Sequence, residues 1–330
     1  MKIIPGWVHR PGRHCASTAI SDVMRFNGHD LSEALCFGLA SGVGFFYFEA
    51  DFLSPSRLFH PRSATLEADF FSVMEIPFNW KTDPDPEKAM KIAEEWIDRD
   101  IPLLMQCDIY YMDYFKSSTH FNGHVVAMWG YDNEKRIAYL SDTEREGLQE
   151  ITYESLGKAR MSNAPPVSLE NNYCEVNWKA PLRDMKTAIP AALKRTGTVM
   201  LEEGAHDLAV RGVKAMRTLA ERLPSWPEAK DLSWCARFGY QIIEKRGTGG
   251  GAFRYLYRDF LKEGEALVPD LKHLSLPEKM DAIARKWTEV SDILKMASEN
   301  GGIDCLKKAA SSVNKVADME EEFYHLVLSL

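Results

Sequence analysis

No stretch of this sequence reaches the roughly 18 uninterrupted apolar residues that a membrane-spanning helix needs, so no membrane span and no membrane partner is expected. The opening residues, Met1 to Gly6, contain no long apolar h-region, so no signal peptide is expected and the cytoplasm is the default compartment. Paired cysteine spacing is missing as well. The six cysteines, at 15, 36, 107, 174, 235 and 305, lie far apart and no CxxC occurs. A zinc knuckle or disulfide framework is therefore not expected, and no pair of His or Cys has metal-ligand spacing. There is no excess of positive charge either. With 40 basic and 48 acidic side chains the net charge is −8, which argues against a nucleic-acid partner. Internal repeats and low-complexity tracts are absent.

What is present is a chain of 330 residues, 45% apolar, with ample material for a core. At about 150 residues per domain the length suggests two domains. The charge is uneven: residues 1–180 hold 17 basic and 26 acidic side chains, residues 181–330 hold 23 and 22.

The first part mixes helix and strand signals. Residues 15–27 carry apolar side chains at 16, 19, 20, 23 and 24, which is helical spacing, and Gly28 stands where a glycine stop belongs. Residues 86–99 read as a second helix with Pro86 at its start. Short apolar runs at 101–107, 124–131 and 136–141 read as strands, the last two joined by a hairpin turn at Asp132 to Lys135. A polar, proline-containing stretch follows at 163–182. Beyond it the patterns are helical, over 183–222, 225–246, 252–264, 275–297 and 301–328, the first expected to break at Pro190, Gly197 or Gly204. The expected architecture is α+β, with one domain over 1–180 and a helical domain over 181–330.

Cys15 opens the first helix. A thiol there meets the positive end of the helix dipole and unpaired backbone N–H groups, both of which favour thiolate. Its own N–H can face an oxyanion. The bland alternative is a small packed side chain, the reading kept for Cys36, Cys107 and Cys235. A nucleophilic thiol needs a base and a group to orient that base. His124 starts a strand after Gly123, and Asp142 closes the returning arm of the hairpin. The start of one arm lies beside the end of the other, so Asp142 can hold His124 in the tautomer that takes a proton from Cys15. Taken singly, each of these residues is more often structural. His14, His120 and Asp132 compete for the same roles. His14 directly precedes the thiol and Asp132 sits in the turn, which disfavours both.

These residues carry a resemblance. A Cys at a helix start, then His124-Val125-Val126 with Gly130-Tyr131-Asp132, then an Asp after the next strand, resembles papain-like cysteine enzymes, bacteriocin-processing peptidases among them. Two further blocks resemble the narrower butirosin biosynthesis protein H type. One is His14-Cys15-Ala16-Ser17-Thr18-Ala19 with Leu31-Ser32-Glu33 and 38–45; the other is 243–254, with Arg246-Gly247-Thr248-Gly249-Gly250-Gly251. The resemblance implies a papain-like catalytic domain that transfers an acyl group from a carrier-protein or CoA thioester to an amine-bearing small molecule. It implies no cofactor beyond the phosphopantetheine arm of the donor. Many such peptidases place a Gln about six residues before the nucleophile as oxyanion donor. This chain has His9 there, so His9 or another N–H donor would serve.

Other residues are candidates for substrate contact. The glycines at 249–251 suit close approach of a ligand at a helix start, with Lys245, Arg246, Arg254 and Arg258 nearby for a phosphate or an acidic carrier surface; a tight interhelical turn is the alternative. Glu33 is a candidate contact, or the first-turn acid of a helix capped by Ser32. The segment 38–48 and the aromatics Tyr110, Tyr111, Tyr114 and Phe115 line a pocket or pack. Glu320 to Glu322 read as a solvated helix face. The leading expectation is a cysteine-dependent acyltransferase. A hydrolase on the same residues and a non-catalytic binding module stay open, as does a homo-oligomer.

Overall fold

The computed structural model describes the chain except for residues 166, 177–178, 203–209 and 301. In chain order the elements are β1 (Lys2–Ile3), α1 (Cys15–Phe26), α2 (Glu33–Leu39), β2 (Val43–Glu49), β3 (Arg57–Arg62), α3 (Leu66–Val73), β4 (Phe78–Lys81), α4 (Pro86–Asp98), β5 (Leu103–Cys107), β6 (His124–Asp132), β7 (Ile137–Ser141), β8 (Gln149–Thr152), α5 (Tyr153–Arg160), β9 (Tyr173–Val176), α6 (Met185–Leu201), β10 (Val210–Arg211), α7 (Gly212–Arg222), α8 (Leu232–Glu244), α9 (Arg254–Leu267), α10 (Leu276–Asn300) and α11 (Ile303–Leu328). The chain is α+β, with antiparallel sheet concentrated in the first half and helices in the second. No helix among the described residues is long and apolar enough to cross a membrane.

The chain divides into two compact units. One is Met1–Cys36 with Glu75–Leu182, the other Phe37–Met74 with Arg183–Leu330. A cut near 180 marks only the last crossing, because residues 37–74 leave the first unit and join the second. The reason is aromatic burial. Phe45 of β2 stacks on Phe59 of β3 and on Trp287 of α10, each at 5.5 Å.

In the first unit a seven-stranded antiparallel sheet runs β4-β9-β5-β6-β7-β8, with β1 also paired to β6. Part of the stretch 163–182 thus belongs to the sheet, since Tyr173–Val176 pairs with β4. The expected hairpin is present: Ala127 faces Ser141, Met128 faces Leu140, and Asp132 faces Ile137, with an irregularity between Met128 and Gly130. Asp132 holds the turn by accepting from the Glu134 and Lys135 amides. Met105, Val126, Met128 and Leu140 fill one face with Ile97 of α4 and Leu156 of α5. Helix α1 buries Ala16, Ala19, Ile20, Val23 and Met24, the apolar stripe of its sequence, and the chain turns out of it through Gly28 at φ +92°.

In the second unit α6 continues through Pro190 and ends at Leu201; Gly204 lies outside the described residues. Gly197 does not break α6. A Cβ there would lie 3.0 Å from Val327 and Leu328 of α11, so glycine serves close helix packing. The segment 38–48 is packed rather than open: a Cβ on Gly38 would fall inside the ring of Phe260. Glu320 is not solvated. It is fully buried and paired with Arg254.

Candidate active site

Cys15 is the first residue of α1 and is 8% exposed. His14 caps the helix, its Nδ1 accepting from the Ser17 amide at 3.3 Å, so that imidazole is used by the helix end. His124 begins β6 opposite Cys107 of β5. Its Nε2 lies 2.8 Å from Asp142 Oδ1, and its ring also hydrogen-bonds Cys15. With Nε2 held by the carboxylate, Nδ1 is the nitrogen left for the thiol. The three residues named from the sequence are therefore brought together.

Asp142 is 1% exposed and three donors converge on it. His124 and the Thr143 hydroxyl, at 2.8 Å, share Oδ1, while the Tyr114 hydroxyl donates to Oδ2 at 2.7 Å. Burial would raise the carboxyl pKa. The charge and hydrogen bond of His124, with the Tyr114 and Thr143 donors, outweigh it and hold the group below the ordinary carboxylate range. For His124 burial works in the opposite sense, disfavouring the cation. The Asp142 carboxylate, with Cys15 contributing, overrides that and moves the imidazole up to about 10. A carboxylate and an imidazolium thus support each other in a buried place, as base activation of a thiol requires.

The turn before the thiol is held from two sides. Glu33 Oε1 accepts from the Arg13 amide at 2.8 Å, the His14 amide at 2.7 Å and the Thr18 hydroxyl at 3.1 Å. Ser32 caps α2 through the Leu35 amide, as expected, yet Glu33 also reaches back to the turn that presents Cys15. Its place is in the support of that turn. His9 is bonded through Nδ1 to Asp22 of α1, which also accepts from the Arg10 amide and from Arg25. The His9 Nε2 is buried and has no hydrogen-bond partner.

In the glycine-rich turn of the second unit Arg254 does not present its guanidinium to a ligand. Arg254 is fully buried. Its Nε and Nη2 bond Glu320, and its Nη1 bonds the Pro61 and Ala252 carbonyls, so its donors are committed inside the protein. The turn has positive φ at Gly249, Gly250, Gly251, Ala252 and Phe253 in succession. Glycine is needed there because an L side chain is strained and because a Cβ on Gly251 would lie 2.9 Å from Ala284. The Gly250 amide donates to the Thr248 hydroxyl, and the Gly251 amide to the Glu244 carboxylate. Gly249 and Gly250 therefore serve the turn itself. In the nearby basic run, Arg254 is paired to Glu320 and Arg258 to Asp259 and Asp281. Tyr114 and Thr143 are the neighbours of Asp142 that the sequence did not assign. No group of three or more metal-ligating side chains occurs among the described residues.

A thiol at a helix start, an imidazole at a strand start and a carboxylate after the next strand have the arrangement that base activation of a thiol requires. The chain belongs to the butirosin biosynthesis protein H-like family: residues 14–143 match butirosin biosynthesis protein H, N-terminal, and residues 154–327 match a domain of unknown function (DUF4872). The first of these is a biosynthesis-related enzyme domain. No curated protein matches the chain.

Proposed function

We propose that the chain is a cysteine-dependent acyltransferase of biosynthesis, working through an acyl-enzyme on Cys15. The observation that supports this most directly is the buried His124–Asp142 pair at 2.8 Å with Cys15 hydrogen-bonded to the same ring. In this reading the Cys15 thiolate attacks the carbonyl carbon of a thioester and a C–S bond forms. The tetrahedral intermediate collapses, the donor's thiolate leaves, and it takes the proton held by His124. An amine then attacks the acyl-Cys15 carbonyl and loses a proton to His124. The Cys15 thiolate departs and an amide is released. His9 Nε2, buried without a partner, is the side-chain donor this reading assigns to the oxyanion, in the doubly protonated form of the ring because Nδ1 donates its hydrogen bond to Asp22. The donor thioester is carried on a phosphopantetheine arm, of a carrier protein or of CoA, and the acceptor is an amine-bearing small molecule.

The test is mass spectrometry of the protein incubated with an acyl-phosphopantetheine thioester. An adduct on Cys15 that persists in water and is discharged by amines is expected. Rapid discharge by water alone would make the protein a hydrolase on the same residues. No adduct, with unchanged function in Cys15→Ala, would leave a binding module.

A further inference from the structure

We propose that Tyr114 is a positioning residue for the Cys15–His124–Asp142 site, holding Asp142 ionised and in place through its hydroxyl. The inference rests on the reading of Cys15 as nucleophile. Asp142 presents two oxygens, and the first is occupied by His124 and Thr143. The second accepts from the Tyr114 hydroxyl at 2.7 Å. Without that donor a buried carboxylate oxygen loses a charge-assisted hydrogen bond.

Tyr114 comes from the segment between β5 and β6, whose ends are tied by one buried carboxylate. Asp108 accepts from the Tyr110 and Phe121 amides, the Ser162 hydroxyl and the His120 ring. The next residue, Phe115, lies edge-on to the His124 ring at 5.1 Å. The Arg145 guanidinium covers both aromatics, 5.0 Å from the Tyr114 ring and 4.4 Å from the Phe115 ring. The Arg145 amide in turn donates to the Asp142 carbonyl at 2.9 Å. One short loop thus bears both the carboxylate and the cation that clamps its hydroxyl donor. Burial, then the neighbouring carboxylate, raises the Tyr114 pKa well above its ordinary value, so the hydroxyl keeps its proton and remains a donor. The groups bearing on Asp142 are His124 of β6, Tyr114, the Cys107 thiol of β5, pushed up to about 12 by burial, and Cys15 through His124. Arg145 acts from behind the Tyr114 ring.

The test is the pH profile of Cys15 alkylation by iodoacetamide, read by mass spectrometry, in wild type, His124→Ala, Tyr114→Phe, Asp142→Asn and the Tyr114→Phe/Asp142→Asn double variant. Phenylalanine keeps the ring under Arg145 and removes only the donor. The acid limb, where Asp142 takes up a proton and releases His124, is expected to move up by about one pH unit in Tyr114→Phe, a roughly tenfold loss of rate on that limb. In the Asp142→Asn background the same substitution is expected to change nothing. A Tyr114→Phe profile that superimposes on wild type, or a shift that persists without Asp142, overturns the inference while leaving the nucleophile reading intact. Lower thermal stability with an unmoved limb marks a packing role and also overturns it. Wild-type Cys15 with the profile of an ordinary thiol, unchanged in His124→Ala, overturns both.

Discussion

The Gly12 amide donates to the Thr143 carbonyl at 2.8 Å, tying the turn that presents Cys15 to the residue that follows Asp142. Cys15 and Asp142 are therefore linked through the backbone as well as through the imidazole. Gly12 has no room for a side chain. A Cβ there would lie 2.1 Å from the Thr18 hydroxyl and 2.9 Å from the Glu33 carboxylate.

Gly12→Ala is accordingly expected to displace the turn. A misplacement of about 1 Å at a reacting group costs on the order of 100-fold in rate. Cys15 alkylation near neutral pH should fall by at least about tenfold, while circular dichroism shows the fold retained. Wild-type reactivity in this variant would remove the turn from the account of the site.

The His124–Asp142 pair has a signature in stability. His124 has a raised pKa, so its contribution is complete below the ordinary histidine value near 6.5 and is lost as pH rises through about 10. Asp142 has a lowered pKa, so its contribution is present above the ordinary carboxylate value and is lost only as pH falls below it. The gap in melting temperature between wild type and His124→Ala should be widest near about pH 5–6 and narrow toward pH 10. A gap that grows with alkalinity contradicts the pairing.

His9 separates binding of the oxyanion from activation of the thiol. Loss of one oxyanion donor costs on the order of 100- to 1000-fold in turnover. His9→Ala should slow acylation of Cys15 by a thioester to that extent. It should leave iodoacetamide alkylation unchanged, because alkylation builds no oxyanion. Equal losses in the two assays would place His9 among the supports of α1 through Asp22.

Arg254 and Glu320 form a buried pair, with Trp287 and Tyr324 also donating to the carboxylate. Arg254→Ala leaves Glu320 buried without its counter-charge, which is expected to cost about 3–5 kcal/mol in urea unfolding. A loss under about 1 kcal/mol would mean that the carboxylate finds another partner or takes up a proton.

Much of the site is legible in local sequence, for a physical reason. Cys15 sits at a helix start that its own apolar spacing defines, and the His124–Asp142 distance follows from one antiparallel hairpin. Short-range periodicity determines both. The parts played by Glu33, Tyr114 and Arg254 depend on which chain segments approach them. A carboxylate after a serine cap reads as a first-turn helix acid, and its bonds to the Arg13 and His14 amides arise only when the turn before Cys15 folds onto it. A tyrosine among aromatics looks like packing until its hydroxyl meets Asp142. An arginine beside three glycines looks like an anion site until Glu320, 66 residues away in sequence, takes it inside.

The sequence by itself determined the α+β character, the helix bearing Cys15, the hairpin joining His124 to Asp142 and the family likeness, because each rests on residues near one another along the chain. Tertiary structure alone decided that residues 37–74 join the helical unit, that Asp142 gains a second donor in Tyr114, and that the glycine turn closes on itself. Those outcomes follow from burial. An aromatic hairpin, a carboxylate and a guanidinium each leave water only where a distant segment supplies the matching surface or partner.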